Sequence, residues 1–121
     1  MIPEAAILCL ALNGYHEARG EPRKAEMAVA MVVLNRAKRN PWSVCNVVFV
    51  PRQFSWTLAL PGVYDKVAFV RSKRIAEAAF GTPDFTGGAT HYHKTSINPR
   101  WARTMLRVGA WGDHVFYRRP K

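Results

Sequence analysis

Apolar residues keep a helical spacing through the first two thirds of this chain and an alternating one in the last third. Ala5 to Leu12 are apolar without a break behind Pro3, a residue suited to the first turn of a helix. The run predicts a helix that is apolar on all sides and therefore central, reaching about Tyr15–Glu17. Gly20 and Pro22 break it, and Pro22 opens a second helix in which Met27, Ala28, Met31, Val32 and Leu34 recur at helical intervals. Arg36, Lys38 and Arg39 favour the C-terminal end of that helix, and Asn40-Pro41 closes it. Ser43 is the predicted N-cap of a short helix over 44–49, which Pro51 ends. Asp65 is the predicted cap of a third long helix over 66–80, with Val67, Val70, Ile75, Ala78 and Ala79 inward and Gly81 as its stop.

The pattern changes after Gly81. Residues 82–88 are turn-rich, and 89–93 read as a strand. Pro99–Ala102 is irregular or one helical turn. Residues 104–111 and 114–118 alternate about Gly112-Asp113, which predicts a hairpin. The fold class is α+β, with N-terminal helices and a C-terminal antiparallel sheet in a single domain over 1–121.

Composition narrows the function. Hydrophobic residues are 49% and charged residues 21%, which excludes a disordered chain. No apolar run approaches the ~18–20 residues of a membrane span. The stretch at Ala5–Leu12 has no basic residue between Met1 and itself, so it reads as a helix and not a signal peptide. Lys and Arg total 18 against 8 Asp and Glu, for a net charge of +10. Such a surface attracts nucleic acid, anionic lipid or an anionic envelope, and charge alone does not choose among them. Cys9 and Cys45 both sit in apolar runs, and buried thiols are the expectation.

Acids are few, and Glu17 stands where an apolar helix meets a Gly-Pro break. There the helix dipole disfavours a carboxylate, and partial burial acts in the same direction. A carboxylic acid kept protonated is what a departing glycosidic oxygen needs. On local sequence alone, a surface glutamate paired with Arg19 is the simpler reading.

The run Tyr15-His16-Glu17-Ala18-Arg19-Gly20-Glu21-Pro22, followed by 28–36 ending in Leu34-Asn35-Arg36, decides otherwise. It resembles the signature of the SleB-type cell-wall hydrolases, which include spore-cortex-lytic enzymes and phage lysins. Residues 43–48, Gln53-Phe54-Ser55-Trp56, Gly88–His93 and Gly112–Tyr117 resemble further segments of that family, in order. The resemblance implies a small lysozyme-like domain that cuts peptidoglycan between N-acetylmuramic acid and N-acetylglucosamine. Glu17 is then the acid and base of a lytic transglycosylase. A hydrolytic muramidase instead needs a second carboxylate ~5–9.5 Å away, for which Glu21 and Glu26 are the neighbours in sequence.

Tyr92 and Trp56 are the candidates to stack on sugar, with Gln53, Ser55 and Arg19 as polar contacts. Two departures stand out: Ala25-Glu26 where many relatives carry Gly-Gln, and His93-Lys94 where the family has Asn-Pro. Glu26 is expected to sit in solvent. The partners implied are peptidoglycan and the anionic polymers around it, without nucleic acid or stable membrane insertion, for a monomer needing no cofactor and no metal. The chain suits a phage lysin held in the host cytoplasm until release to the wall, or a domain of a longer protein. Two rival readings are a non-catalytic basic binding module and a zinc hydrolase built on His91, His93 and a third histidine.

Overall fold

The second helix, not the first, is the one buried on every side. The computed structural model describes residues 1–50 and 62–120. Its helices are α1 (Glu4–Ala18), α2 (Arg23–Arg36), α3 (Val44–Val48) and α4 (Lys66–Phe80). Its strands are β1 (His91–Lys94), β2 (Leu106–Trp111) and β3 (His114–Arg118), antiparallel in the order β1-β3-β2. Helices come first and the sheet last, as the spacing predicts. Gln53, Phe54, Ser55 and Trp56 lie outside the described residues.

Ala25 to Leu34 of α2 are buried without interruption. One side of α2 (Met27, Ala30, Met31, Leu34) meets Leu10 and Ala11 of α1, Val44 and Val48 of α3, and Ile75 and Ala79 of α4. The other side (Ala28, Val29, Val32) packs with Phe116 of β3, Ala89 and Ala18. So α2 is the wall between a helical layer and the sheet. By contrast, α1 keeps an outer face, with Leu8 36% exposed. Its apolar run reads as central, but among the described residues the helices pack against one side of it.

Asp65 caps α4 as expected, its Oδ1 accepting from the Ala68 amide at 3.0 Å. The inward face differs from the predicted one. Val67 is 83% and Val70 48% exposed, while Ser72, Ile75, Ala76 and Ala79 are buried. The rotation is set by contacts the apolar spacing does not show: Phe69 packs edge-on to Tyr15 at 5.9 Å, and Arg71 reaches Glu26 and the Glu21 carbonyl. Ser43 is not the N-cap by side chain. Asn40 caps the preceding 3-10 turn at Pro41–Ser43, accepting from the Trp42 amide at 3.0 Å. A second 3-10 segment covers Arg100–Thr104.

The predicted hairpin forms, with Gly112 at φ +55° in its turn. A side chain there is disfavoured twice, since a Cβ would also lie 2.5 Å from Glu21 Oε1. A bulge at Val108 shifts the β2–β3 register and sets Val108 against the second core.

The cysteines correct another expectation. Cys9 of α1 and Cys45 of α3 form a disulfide across a Cα–Cα distance of 5.3 Å, so neither is a free thiol. Sequence spacing cannot show that two helices place these residues side by side. The bridge closes a loop of 36 residues, which on the chain-entropy model stabilises by ~4 kcal/mol. Cys9→Ser, or reduction of the wild type, is expected to lower Tm by roughly 10–15 °C. A thermal melt with and without reductant checks this, and coincident melts would contradict a stabilising bridge.

Candidate active site

Glu17 is the next-to-last residue of α1, where the helix runs out against the start of the sheet. It is half-buried. Its Oε1 accepts a hydrogen bond from the Tyr92 hydroxyl at 2.6 Å, which joins α1 to β1 across the molecule. Beside Glu17 opens a groove of about 620 Å³. One wall is Tyr15, His16, Arg19, Gly20 and Glu21; the other is Lys94, Thr95, Ser96 and Asp113.

Tyr92 is held rigidly. Its ring packs edge-on to His114 at 5.2 Å and tilted on Phe116 at 5.6 Å. Burial, followed by the nearby Glu17 charge and the bond donated to it, pushes the Tyr92 phenol well above its ordinary pKa. Tyr92 therefore stays protonated and donates. With its hydroxyl engaged and its ring packed, its geometry suits orienting Glu17 more than stacking on a sugar.

The end of α2 positions β1. Asn35 Nδ2 donates to the Ala89 carbonyl at 2.8 Å and to Asp84 at 3.2 Å, and Arg36 Nε donates to the Thr90 carbonyl at 2.6 Å. Asp84 gathers the turn before β1, accepting from the Thr86 amide and hydroxyl and the Gly88 amide. Burial would raise the Asp84 pKa, but these bonds outweigh it and leave the carboxyl below its ordinary value. The Leu34-Asn35-Arg36 helix end thus sets where Tyr92 stands.

Glu21 fastens the opposite rim. Its Oε1 accepts from the Asp113 amide at 2.8 Å and meets His114 Nδ1 at 3.1 Å, so the hairpin turn is tied to the loop after α1. Arg19 lines the groove, and its guanidinium lies over the rings of Tyr15 (4.5 Å) and Tyr64 (4.4 Å) and bonds to the Tyr64 hydroxyl. The tyrosine pair, not Glu17, occupies it. Lys94 enters the groove by strand alternation, on the same face as Tyr92. Thr95 and Ser96 are groove residues outside the matched motifs, and His16, Lys94 and Asp113 lie within or beside them without having been assigned a role. Alternation from Tyr92 is the signal that finds Lys94.

His91 and His93 fall on the other face of β1 by the same rule. His93 meets the Tyr117 hydroxyl at 2.9 Å and the Lys94 carbonyl at 2.7 Å. Among the described residues no three His, Cys, Asp or Glu side chains converge as metal ligands.

Glu26 corrects a second expectation, for it is 1% exposed and not in solvent. Its Oε1 pairs with Arg71 at 3.3 Å, and its Oε2 faces Gly14 of α1, where a Cβ would come within 2.9 Å. Gly14 is therefore a close-approach glycine, lying three residues before Glu17. Of the two acids near Glu17 in sequence, Glu21 lines the groove and Glu26 does not.

A helical layer closed by a small antiparallel sheet, with Glu17, Glu21 and Asp113 in the groove at their junction, is a small α+β domain with its candidate site between the layers. Comparison with known proteins gives the family. A model of the family described as Cell Wall Hydrolase matches residues 20–117. The spore cortex-lytic enzyme of Bacillus cereus is 33% identical over 105 residues, 84% of this chain and 40% of that protein. That of Halalkalibacterium halodurans is 32% identical over 84% of this chain and 31% of its own length. The catalytic domain of the Bacillus cereus SleB protein superposes with a TM-score of 0.80 at 27% identity, over 98% of this chain and 93% of that one. The catalytic domain of the germination-specific lytic transglycosylase SleB from Bacillus anthracis superposes at 0.76 with 28% identity, covering 96% of each. The chain belongs to the cell wall hydrolase family. It spans about two-fifths of the length of the Bacillus cereus enzyme and nearly all of the solved catalytic domains.

Burial raises the pKa of Glu26; Ser72 and Arg71 oppose this, and the Glu21 charge adds to it. A carboxyl raised on folding supports the fold fully below its ordinary value of 4.5, and this support is lost as pH climbs through the higher folded value. Glu26→Gln keeps an acceptor for Arg71 and cannot ionise. Its Tm is expected to exceed that of the wild type at pH 7, with the gap closing below pH 4.5. Melts across pH check this, and a gap independent of pH would contradict it.

Proposed function

We propose that this domain cleaves the glycan strands of peptidoglycan between N-acetylmuramic acid and N-acetylglucosamine, as a lytic transglycosylase with Glu17 as its single acid and base. The observation that carries the reading is the Glu17 carboxyl, seated at the groove and oriented by the Tyr92 hydroxyl. The bond from Tyr92 occupies Oε1, which leaves Oε2 to carry the proton. Protonated Glu17 gives that proton to the bridging oxygen, the bond from muramic C1 breaks, and an oxocarbenium-like centre develops. The resulting carboxylate is stabilised by Tyr92, whose hydrogen bond strengthens when its acceptor is charged. It then takes the proton of the muramic 6-hydroxyl as that oxygen closes on C1. Glu17 ends as it began, no water is consumed, and the product is a 1,6-anhydro end. The chemistry needs one carboxylate because the nucleophile belongs to the substrate. Likeness to a domain described as a lytic transglycosylase supports this product over a hydrolysed one.

A hydrolytic course is the second reading, because Glu21 and Asp113 share the groove with Glu17. Against it, Glu21 Oε1 is already committed to Asp113 and His114. Gln53, Ser55 and Trp56 remain candidate sugar contacts, and Arg19 a rim contact. The net charge of +10 favours retention on the anionic envelope. The Cys9–Cys45 bridge suits an oxidising compartment outside the cytoplasm. No helix among the described residues is long and apolar enough to cross a membrane.

Glu17→Gln is expected to keep the wild-type melt and lose at least 100-fold in release of glycan fragments. Mass spectrometry of wild-type digests should show muramic ends one water lighter than hydrolysed ends. An active Glu17→Gln variant would overturn the acid assignment, and hydrolysed ends would favour the muramidase reading. Retention on purified sacculi should also fall as sodium chloride rises, since surface charges are screened within ~10 Å at 0.1 M; retention unchanged at high salt would remove the tethering role.

A further inference from the structure

The groove beside Glu17 holds a cation that the cleavage steps do not use. Lys94 is the last residue of β1 and lines the wall opposite α1. It stands two positions after Tyr92 on the same strand face, ~6.6 Å further along. It replaces the proline of the family's Asn-Pro, which has neither a charge nor a donor. Its backbone is fixed from both sides. The residue pairs with His114 of β3, and its carbonyl accepts from the Ile97 amide at 3.1 Å and meets His93 Nδ1 at 2.7 Å. Thr95 and Ser96 form the turn that the Ile97 bond closes, and the Thr95 amide donates to the Asp113 carbonyl at 2.8 Å. The Lys94 side chain is exposed, and among the described residues it joins no ion pair. Of the acids in the groove, Glu17 is bonded to Tyr92, and Glu21 to the Asp113 amide and His114.

The proposed substrate supplies a partner for that cation. Muramic acid differs from the glucosamine beside it by an acidic lactyl ether on C3, two carbons from the C1 at which Glu17 acts. An alternating glycan must enter in the register that brings muramic C1, and not glucosamine C1, to the acid. The lactyl arm is the chemical feature that tells the two sugars apart. We propose that Lys94 selects this register by binding a carboxylate on the muramic C3 arm, with the Thr95 and Ser96 hydroxyls as further donors. The carboxylate is that of the lactyl group where the stem peptide is absent, or one carried by the stem peptide where it is present. The inference rests on the proposed cleavage and narrows its substrate. A hydrogen bond from an ammonium to a carboxylate is roughly twice as strong as a neutral one. A neutralised arm is therefore a poorer substrate even though the sugar backbone is unchanged. Glu21 and Asp113, on the same groove, repel an anion placed beside them and so disfavour other seats for the arm.

The test compares three glycan strands: peptide-free strands with lactyl carboxylates, the same strands with those carboxyls converted to methylamides, and strands that keep their stem peptides. Fragment release, read by chromatography and mass spectrometry, gives kcat/KM for each. The wild type should favour an acidic arm over the methylamide about tenfold. Preference for the peptide-free acid assigns the lactyl carboxylate, and preference confined to peptide-bearing strands assigns the peptide's own. Lys94→Gln should bring the ratio to about one, and Lys94→Arg should keep it. Arg74→Gln, an equal loss of charge on α4, should also keep the wild-type ratio. Partial unfolding lowers all three rates alike, so the ratio still reads recognition. A ratio unmoved by Lys94→Gln, or moved equally by Lys94→Gln and Arg74→Gln, overturns the role of Lys94. A wild type that cleaves all three strands alike refutes only recognition of the arm. A wild type that releases no fragment from any of them refutes the cleavage reading itself.

Discussion

A helix without a polar face must be covered on all sides, and α2 is that helix. Its burial from Ala25 to Leu34 obliges α1, α3 and α4 to assemble on one flank and the sheet on the other. Removing that much apolar surface from water is the largest favourable contribution within reach of a chain this size. The two layers meet where α2 begins and ends. Its beginning follows the loop that holds Glu21, and its end carries Asn35 and Arg36, which hold the approach to β1. Both edges of the groove beside Glu17 are thus positioned by the termini of one buried element.

The groove itself is polar and has little packing of its own. It is kept in shape by bonds that cross between layers: Tyr92 to Glu17, Glu21 to Asp113 and His114, and Arg71 to Glu26 and to the Glu21 carbonyl. The buried ring of His114 lies between Glu21 and Tyr92, so the two rims share a neighbour. A shift of the hairpin turn is therefore felt at the Glu17 carboxyl through packed rings and not through solvent.

Much of this was legible in the sequence because it rests on local rules. The Asp65 cap, the Gly112-Asp113 hairpin and the order of helices and strands each follow from neighbouring residues. Glu17 became a candidate through the motif around it, and a groove opens beside it. What escaped depends on tertiary placement. Val67 and Val70 satisfy a helical period, yet Phe69 and Arg71 set the rotation through partners on α1 and α2. Glu26 looks like any helix-surface acid until Gly14 and Arg71 are seen to receive it. The disulfide joins residues 36 apart with no spacing rule to announce it. The aromatic character of Tyr92 suggested sugar stacking, whereas its hydroxyl has the more direct contact with the acid.

The covalent link between α1 and α3 sits at Cys9, eight residues before Glu17 on the same helix, roughly 12 Å along its axis. It anchors the root of a lever whose tip carries the bond from Tyr92 to Glu17. The covalent brace and the Glu17 carboxyl thereby sit at opposite ends of one rod: opening the sulfur bridge loosens the foundation, while the far end keeps the alignment its phenol partner imposes.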